Sequence, residues 1–304
     1  MNQPQPALKK WATEQKTAWL SRQKKHRSYQ DNVVNRLNSL SDRFDIVQYG
    51  QLDYALDQYP LYIVTTGCRD NSKPTVLITG GVHGYESSGV HGSISFLENR
   101  ALDYAEKFNI IVAPCVSPWG YETINRWNPQ AVDPNRSFYE SSPSQEAACL
   151  MHYIKSLNTK ITAHIDLHET TDTDNTEFRP ALAARDAVEQ NNWDIPDGFY
   201  LVGDIDNPVE NFQRAVIRSV EKVTHIAPSD DNGKIIGEPL AQNGVINYDC
   251  RKLGLCIGFT HGVYSTTTEV YPDSPKVNDQ DCVDAQVAAV SGGLDYIISE
   301  FNSR

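Results

Sequence analysis

Two short apolar runs, TVLITGG at 75–81 and FNIIVAPCVSP at 108–118, most constrain what this chain can fold into. Both read as strands buried on two faces, because their hydrophobicity is continuous and does not alternate. A helix-compatible stretch from about 84 to 100 lies between them, so the order is strand, helix, strand. A crossover of that kind joins parallel strands and places a helix over the sheet. The expectation is an α/β chain whose sheet is covered on both faces.

The flanking sequence fits that frame. FDIVQYGQL and YPLYIVTTG alternate and are bounded by Gly and Pro, as two strands at a sheet edge would be. SQEAACLMHYIKSL has helical spacing, with Ser142-Pro143 as its expected start. KITAHIDLHETT (160–171) and FYLVGD (199–204) read as strands, NFQRAVIRSVEKV as a helix, and LGLCIGFTHG with STTTEVYPD (253–273) as a hairpin or two late strands. From Asp279 a closing helix is expected, flawed by a Gly-Gly pair. Residues 5–40 read as one or two helices, with Asp31 or Asn32 capping the second. No repeat or linker interrupts the chain. The expected organisation is a basic helical arm, 1–44, followed by one catalytic domain, 45–304.

Composition narrows the class. With 39% apolar and 22% charged residues among 304, this is a soluble globular composition, and no apolar run is long enough to span a bilayer. The first residues lack the apolar core of a secretory signal, and six cysteines (68, 115, 149, 250, 256, 282) form no C-x-x-C pair. A cytoplasmic protein with reduced thiols is expected, a Cys250–Cys256 bridge being the pairing to check. Net charge is −12, yet residues 1–36 hold eight Lys/Arg against two acids. We read that segment, with Trp11, Trp19 and Leu20 as its apolar stripe, as a helix docked on an acidic body. Neither nucleic acid nor a membrane is an expected partner.

Chemistry concentrates in LITGGVHGYESSGVHG (77–92), where His83 and Glu86 stand three residues apart. On a helical turn, or at a strand-to-helix corner, both side chains reach one point and make half of a zinc site. His168, at the end of an expected strand, supplies a third ligand and leaves a coordination position open for water. Strand alternation puts His164, Asp166 and His168 on one face. Asp166 is then a partner that orients a ligand histidine, or joins His164 and His91 around a second metal. The polar stretch 119–142, with its aromatics and arginines, has the length and composition of a functional loop.

The succession HGYE, DPNRSF, DLHE, TTTEVY resembles the zinc metallocarboxypeptidase family (peptidase family M14, carboxypeptidase A-like) over roughly residues 45–300. The resemblance implies a mixed, mainly parallel sheet of about eight strands between helices, and one zinc per chain on His83, Glu86 and His168. It implies Glu269 as general base and Arg126 as the group polarising the scissile carbonyl. Asn135 and Arg136 would grip the free carboxylate of a peptide or peptide-like substrate. Ile246 would sit in the side-chain pocket. The mobile tyrosine of the pancreatic-type enzymes has no counterpart, since the aligned position falls near Pro239; Tyr248 and Tyr264 are the candidate substitutes. DLHETT is also similar to the relatives that deacylate amino acids, aspartoacylase and succinylglutamate desuccinylase. Three functions follow in order: a zinc carboxypeptidase, an N-acyl-amino-acid deacylase, and a binding module without catalysis.

Overall fold

A computed structural model describes residues 9–54, 57–67 and 69–303. The apolar runs become β3 (Thr75–Gly80) and β4 (Asn109–Ala113), every residue of both being buried. The alternating stretches become β1 (Asp45–Tyr54) and β2 (Asp57–Thr65), an antiparallel pair at one sheet edge. The rest of the main sheet is β5 (Ile161–Glu169), β6 (Tyr200–Asp204), β9 (Val245–Tyr248) and β10 (Tyr264–Val270). A separate two-stranded ribbon holds β7 (Lys234–Ile235) and β8 (Glu238–Pro239).

The eight-stranded order is β1-β2-β4-β3-β5-β10-β6-β9. The centre, β4-β3-β5-β10, is parallel, and antiparallel pairings flank it at β2-β4 and β10-β6. This is the mixed, mainly parallel sheet the resemblance implies. Parallel central strands deliver their carboxyl ends to one edge, which is where an open α/β sheet builds sites.

One face of the sheet packs on the Ser87–Asn99, Glu210–Val220 and Asp279–Asn302 helices, with Ile94, Phe212, Val216 and Leu294 fully buried. The other carries the Gln145–Ser156 helix over Ile63, Leu77 and Ile111. The Gly-Gly pair does not weaken the last helix. A Cβ at Gly292 would stand 2.4 Å from that of Ser219, so glycine is what lets the Glu210–Val220 and Asp279–Asn302 helices touch.

Other expectations shift by local chemistry. Ser144 caps the Gln145–Ser156 helix, accepting from the N–H of Ala147, so Ser142-Pro143 stands just before it. Ser28 receives the N–H of Asp31, which places Asp31 and Asn32 inside the turn they were expected to cap. LGLCIGFTHG is not a strand. Gly254 turns with φ +65, and Cys256–Gly258 forms a single helical turn at the site's edge. Met1–Leu8 and Cys68 lie outside the described residues; the five described cysteines are free thiols, so Cys250 and Cys256 are not bridged.

Residues 11–19 dock as their apolar stripe requires. The Thr13–Leu20 helix buries Trp19 against Trp119 and Trp127, and Trp11 meets the edge of Trp127 at 6.0 Å. No helix among the described residues is long and apolar enough to cross a membrane.

Candidate active site

β3 ends at Gly80, and the chain turns through Gly81 to Glu86 before the Ser87–Asn99 helix begins. A Cβ on Gly84 would lie 2.1 Å from the backbone nitrogen of Tyr121. Glycine therefore lets this corner press on the Pro118–Thr123 helix and fixes where its neighbours His83 and Glu86 point. β5, the next strand over, brings His168 to the same level at its end.

The three side chains converge. Glu86 spans the two histidines, its Oε1 2.7 Å from His83 Nδ1 and its Oε2 2.7 Å from His168 Nδ1. Their ligand atoms all lie within 4.8 Å of one another, and no other such group occurs among the described residues. Each far ring nitrogen has its own carboxylate: His83 Nε2 meets Asp133 at 2.9 Å, His168 Nε2 meets Asp166 at 2.7 Å. Those outer carboxylates fix the tautomer that leaves each Nδ1 lone pair facing Glu86. A lone pair buried against a carboxylate needs a proton or a cation between them. Two imidazoles and a carboxylate so arranged fit a zinc ion.

Charge runs through this cluster. Burial works against ionised Glu86, but His168 and His83 hold its carboxyl well below the usual range. Asp133, buried beside Arg126 and His83, is lowered in the same way. His164, expected on the same face, is one layer deeper. Its Nε2 lies 3.0 Å from Thr79 Oγ1, and burial pulls it down to about 4. His91 points away, toward Arg36 and Tyr121, so it does not join a second metal group.

Glu269 stands beside His168 in the β5–β10 register. Thr170 donates to its Oε2 at 2.9 Å and also meets Tyr200 OH at 2.8 Å. Burial, with Glu86 and Asp174 nearby, pushes Glu269 up to about 8. Arg126 donates to Asp133 at 3.1 Å and lies 3.5 Å from Asp174. Arg136 ends a turn, Pro134–Arg136, that Asp133 caps by accepting from the N–H of Asn135. Asn135 is tied inward, with Oδ1 accepting from the N–H of Cys256 at 2.7 Å and its amide nitrogen 3.4 Å from His168.

A cavity of about 440 Å³ opens over these groups, and Arg126, Asn135, Arg136, Tyr248 and Glu269 all line it. Ile246 does not. It is fully buried with Tyr200, Val202 and Ile235, and Val202 and Ile236 reach the cavity in its place. Tyr264 is no substitute for a mobile tyrosine, because it packs between Phe212 and Tyr296. Sequence reasoning passed over Asp133, Thr170, Asp174, Arg179 and Tyr200. For Asp133 the signal was present in DPNRSF, two residues before Asn135; Tyr200 carried none, as it reads as an ordinary strand aromatic.

Residues 72–195 match the family model described as the succinylglutamate desuccinylase/aspartoacylase catalytic domain. No sequence among the curated proteins matches the chain significantly. Among solved structures it is similar to a protein of Shewanella amazonensis provisionally assigned as a metallopeptidase, at TM-score 0.66 and 19% identity, covering 86% of this chain and 91% of that one. It is also similar to a metallo-carboxypeptidase from Burkholderia cenocepacia (TM-score 0.57, 14% identity, 95% and 70% covered). A third similar structure is the metallo-carboxypeptidase of Pseudomonas aeruginosa in complex with (2-guanidinoethylmercapto)succinic acid (TM-score 0.59, 13% identity, 87% and 68% covered). The fold is that of the metallo-carboxypeptidases. The resemblance drawn from HGYE, DPNRSF, DLHE and TTTEVY therefore holds at the level of architecture.

Proposed function

We propose that this chain is a zinc-dependent hydrolase of an amide bond beside a free carboxylate, acting as a metallocarboxypeptidase. The observation that carries the reading is the buried His83–Glu86–His168 group, of which His83 and Glu86 line the same cavity as Glu269 and Arg136. His83, Glu86 and His168 would hold the metal, which when bound supplies an activated water and polarises the carbonyl. Glu269 accepts the proton of the attacking water and hands it to the leaving amine, with Thr170 fixing the carboxylate for both transfers. Arg126, held by Asp133 and Asp174, keeps its guanidinium in place to stabilise the oxyanion. Arg136 has no carboxylate within 4 Å among the described residues, so it is left to bind one from the substrate. Residues 45–304 would be the catalytic unit and 1–44 a docked arm.

The match of residues 72–195 to the desuccinylase/aspartoacylase family model favours a second reading, hydrolysis of N-acyl amino acids by the same groups. Metal content and turnover on blocked dipeptides and N-acyl amino acids separate the two. About one zinc per chain, with C-terminal residues released and activity lost on chelation, supports the first. Cleavage of N-acyl amino acids alone supports the second. A protein with neither metal nor turnover sinks both.

A further inference from the structure

The turn of the small two-stranded ribbon holds a residue that its backbone does not suit. Ile235 pairs with Glu238, so Ile236 and Gly237 alone connect β7 to β8. Both have positive φ, +50 and +80, the pattern of a type I′ hairpin turn. Such turns favour Asn or Asp followed by Gly, and Gly237 conforms. Ile236 does not. A β-branched side chain in the left-handed region crowds its own backbone, and it persists only where its surroundings hold it there.

Here they do. The N–H of Ile236 donates to Asp194 Oδ2 at 3.1 Å, and its carbonyl accepts from Asn192 Nδ2 at 2.5 Å. Asp194 is braced in turn, its N–H donating to Asn192 Oδ1 at 3.0 Å and its carbonyl accepting from Arg179. Both backbone groups of the strained residue are thus bound by one neighbouring segment. The side chain that these bonds position lines the cavity. Ile236 and Tyr248 both pack on the buried cluster of Tyr200, Val202 and Ile246, and Tyr248 packs also on the cluster that holds Leu255. Val202, Ile236, Tyr248 and Leu255 therefore form one continuous apolar part of the lining. Arg136 borders it: its backbone carbonyl would stand 3.0 Å from a Cβ on Gly254, the residue before Leu255.

We infer that Ile236 is a specificity-determining residue, held in an unfavourable backbone conformation so that its side chain bounds this apolar part of the cavity and limits the size of the apolar side chain a substrate can carry. The inference takes from the amide-hydrolase reading only the carboxylate that Arg136 binds. A turn built for its own stability would place asparagine or glycine at position 236. Either would withdraw the branched side chain from the lining and leave Val202 and Tyr248 with more open space beside them. Local strain is tolerated where it shapes a site.

Two readouts on the zinc-loaded Glu269→Gln protein, which does not consume its probes, test this. One is the melting temperature. The other is calorimetric binding of N-acetyl-L-alanine, N-acetyl-L-leucine and N-acetyl-L-phenylalanine. Adding Ile236→Asn should raise the melting temperature by about 2 °C or more, because asparagine enters the left-handed region without a branched Cβ. Ile236→Asn and Ile236→Gly should each raise the ratio of phenylalanine to alanine affinity by about tenfold, and Ile236→Val by less. An unchanged ratio in both larger openings overturns the inference, as does a protein with Ile236 intact that binds none of the three probes. A lower melting temperature in Ile236→Asn overturns it too, since the turn then stores no strain. If Ile236→Gly does not fold, the ratio in Ile236→Asn decides. Turnover settles a separate matter: a size preference that depends on Ile236, without hydrolysis of any amide by the parent, keeps this residue's role and removes the hydrolase.

Discussion

The floor and the wall of the cavity are built by opposite rules. On the floor, His83, Glu86, Asp166 and His168 are at most 2% exposed, and each charge meets another charge. On the wall, residues 179–194 are half-buried or exposed, and several key bonds run to backbone. Asn192 donates to the carbonyl of Ile236, the N–H of Ile236 to Asp194, and Arg185 to the carbonyl of Ala131. A buried charge network fails as a unit when one member is lost, because the remaining partners stay desolvated. Half-exposed bonds to neutral carbonyls fail singly and cheaply. The difference teaches what a substitution costs: a change on the floor strands desolvated charges, whereas a change on the wall removes a single bond.

Substitutions can break or sharpen that contrast, and the largest effect belongs to the floor. Glu269→Gln should keep the metal and lower kcat by about 10²–10⁴-fold; metal analysis of the purified variant beside its turnover checks both halves. Asp133→Asn, which removes the charge behind His83, should weaken zinc binding by about 10–100-fold in chelator competition. An unchanged affinity would mean that the outer carboxylate does not orient the ligand. Arg136→Ala should raise KM for substrates with a free carboxylate by about tenfold or more, and amidated analogues should show no such change.

Acid sharpens the contrast at a third place, on the Ser87–Asn99 helix. Burial, with Arg36 and Arg27 beside it, pulls His91 down to about 4 from its ordinary 6.5. Between those values the unfolded chain binds the extra proton, so this contribution to stability is whole above pH 6.5 and is lost as pH falls toward 4. Melting curves from pH 7 to 5 should fall more steeply for the parent than for His91→Gln, by about 1 kcal/mol. The smallest effect returns to the wall. Asn192→Ala should cost no more than about 1 kcal/mol, leave zinc affinity alone and shift substrate preference.

What the sequence made legible follows the same division. TVLITGG and FNIIVAPCVSP announce the parallel centre because strands buried on both faces have only one composition open to them. His83 and Glu86 are readable as a pair because the corner that joins them is four residues long. The partner of His83 was harder to see. Asp133 lies fifty positions on, inside a loop whose polarity looks like exposure but whose Trp127, Asn128 and Asp133 are buried. Ile246 was placed one residue layer from its true setting, since β9 is only four residues long and the loop that covers it comes from 226–240. LGLCIGFTHG shows the converse error. Its Leu255, Cys256 and Ile257 are buried, but by packing on the strand ends, with Cys256 tied to Asn135.

The docking of residues 11–19 has a consequence for how the molecule is made. Trp19 rests on Trp119 and Trp127, and the N–H of Trp11 donates to the carbonyl of Arg185, at the far end of the wall helix Arg179–Asp186. Trp19 and the two tryptophans it rests on stand 100 or more positions apart in the chain, so this contact closes only over a long loop. The Arg185 end of the wall is therefore tied to a segment far from it in sequence. A truncation before Trp19 should then show itself first in slower refolding and in a loosened Arg185, with the buried His83, Glu86 and His168 little affected.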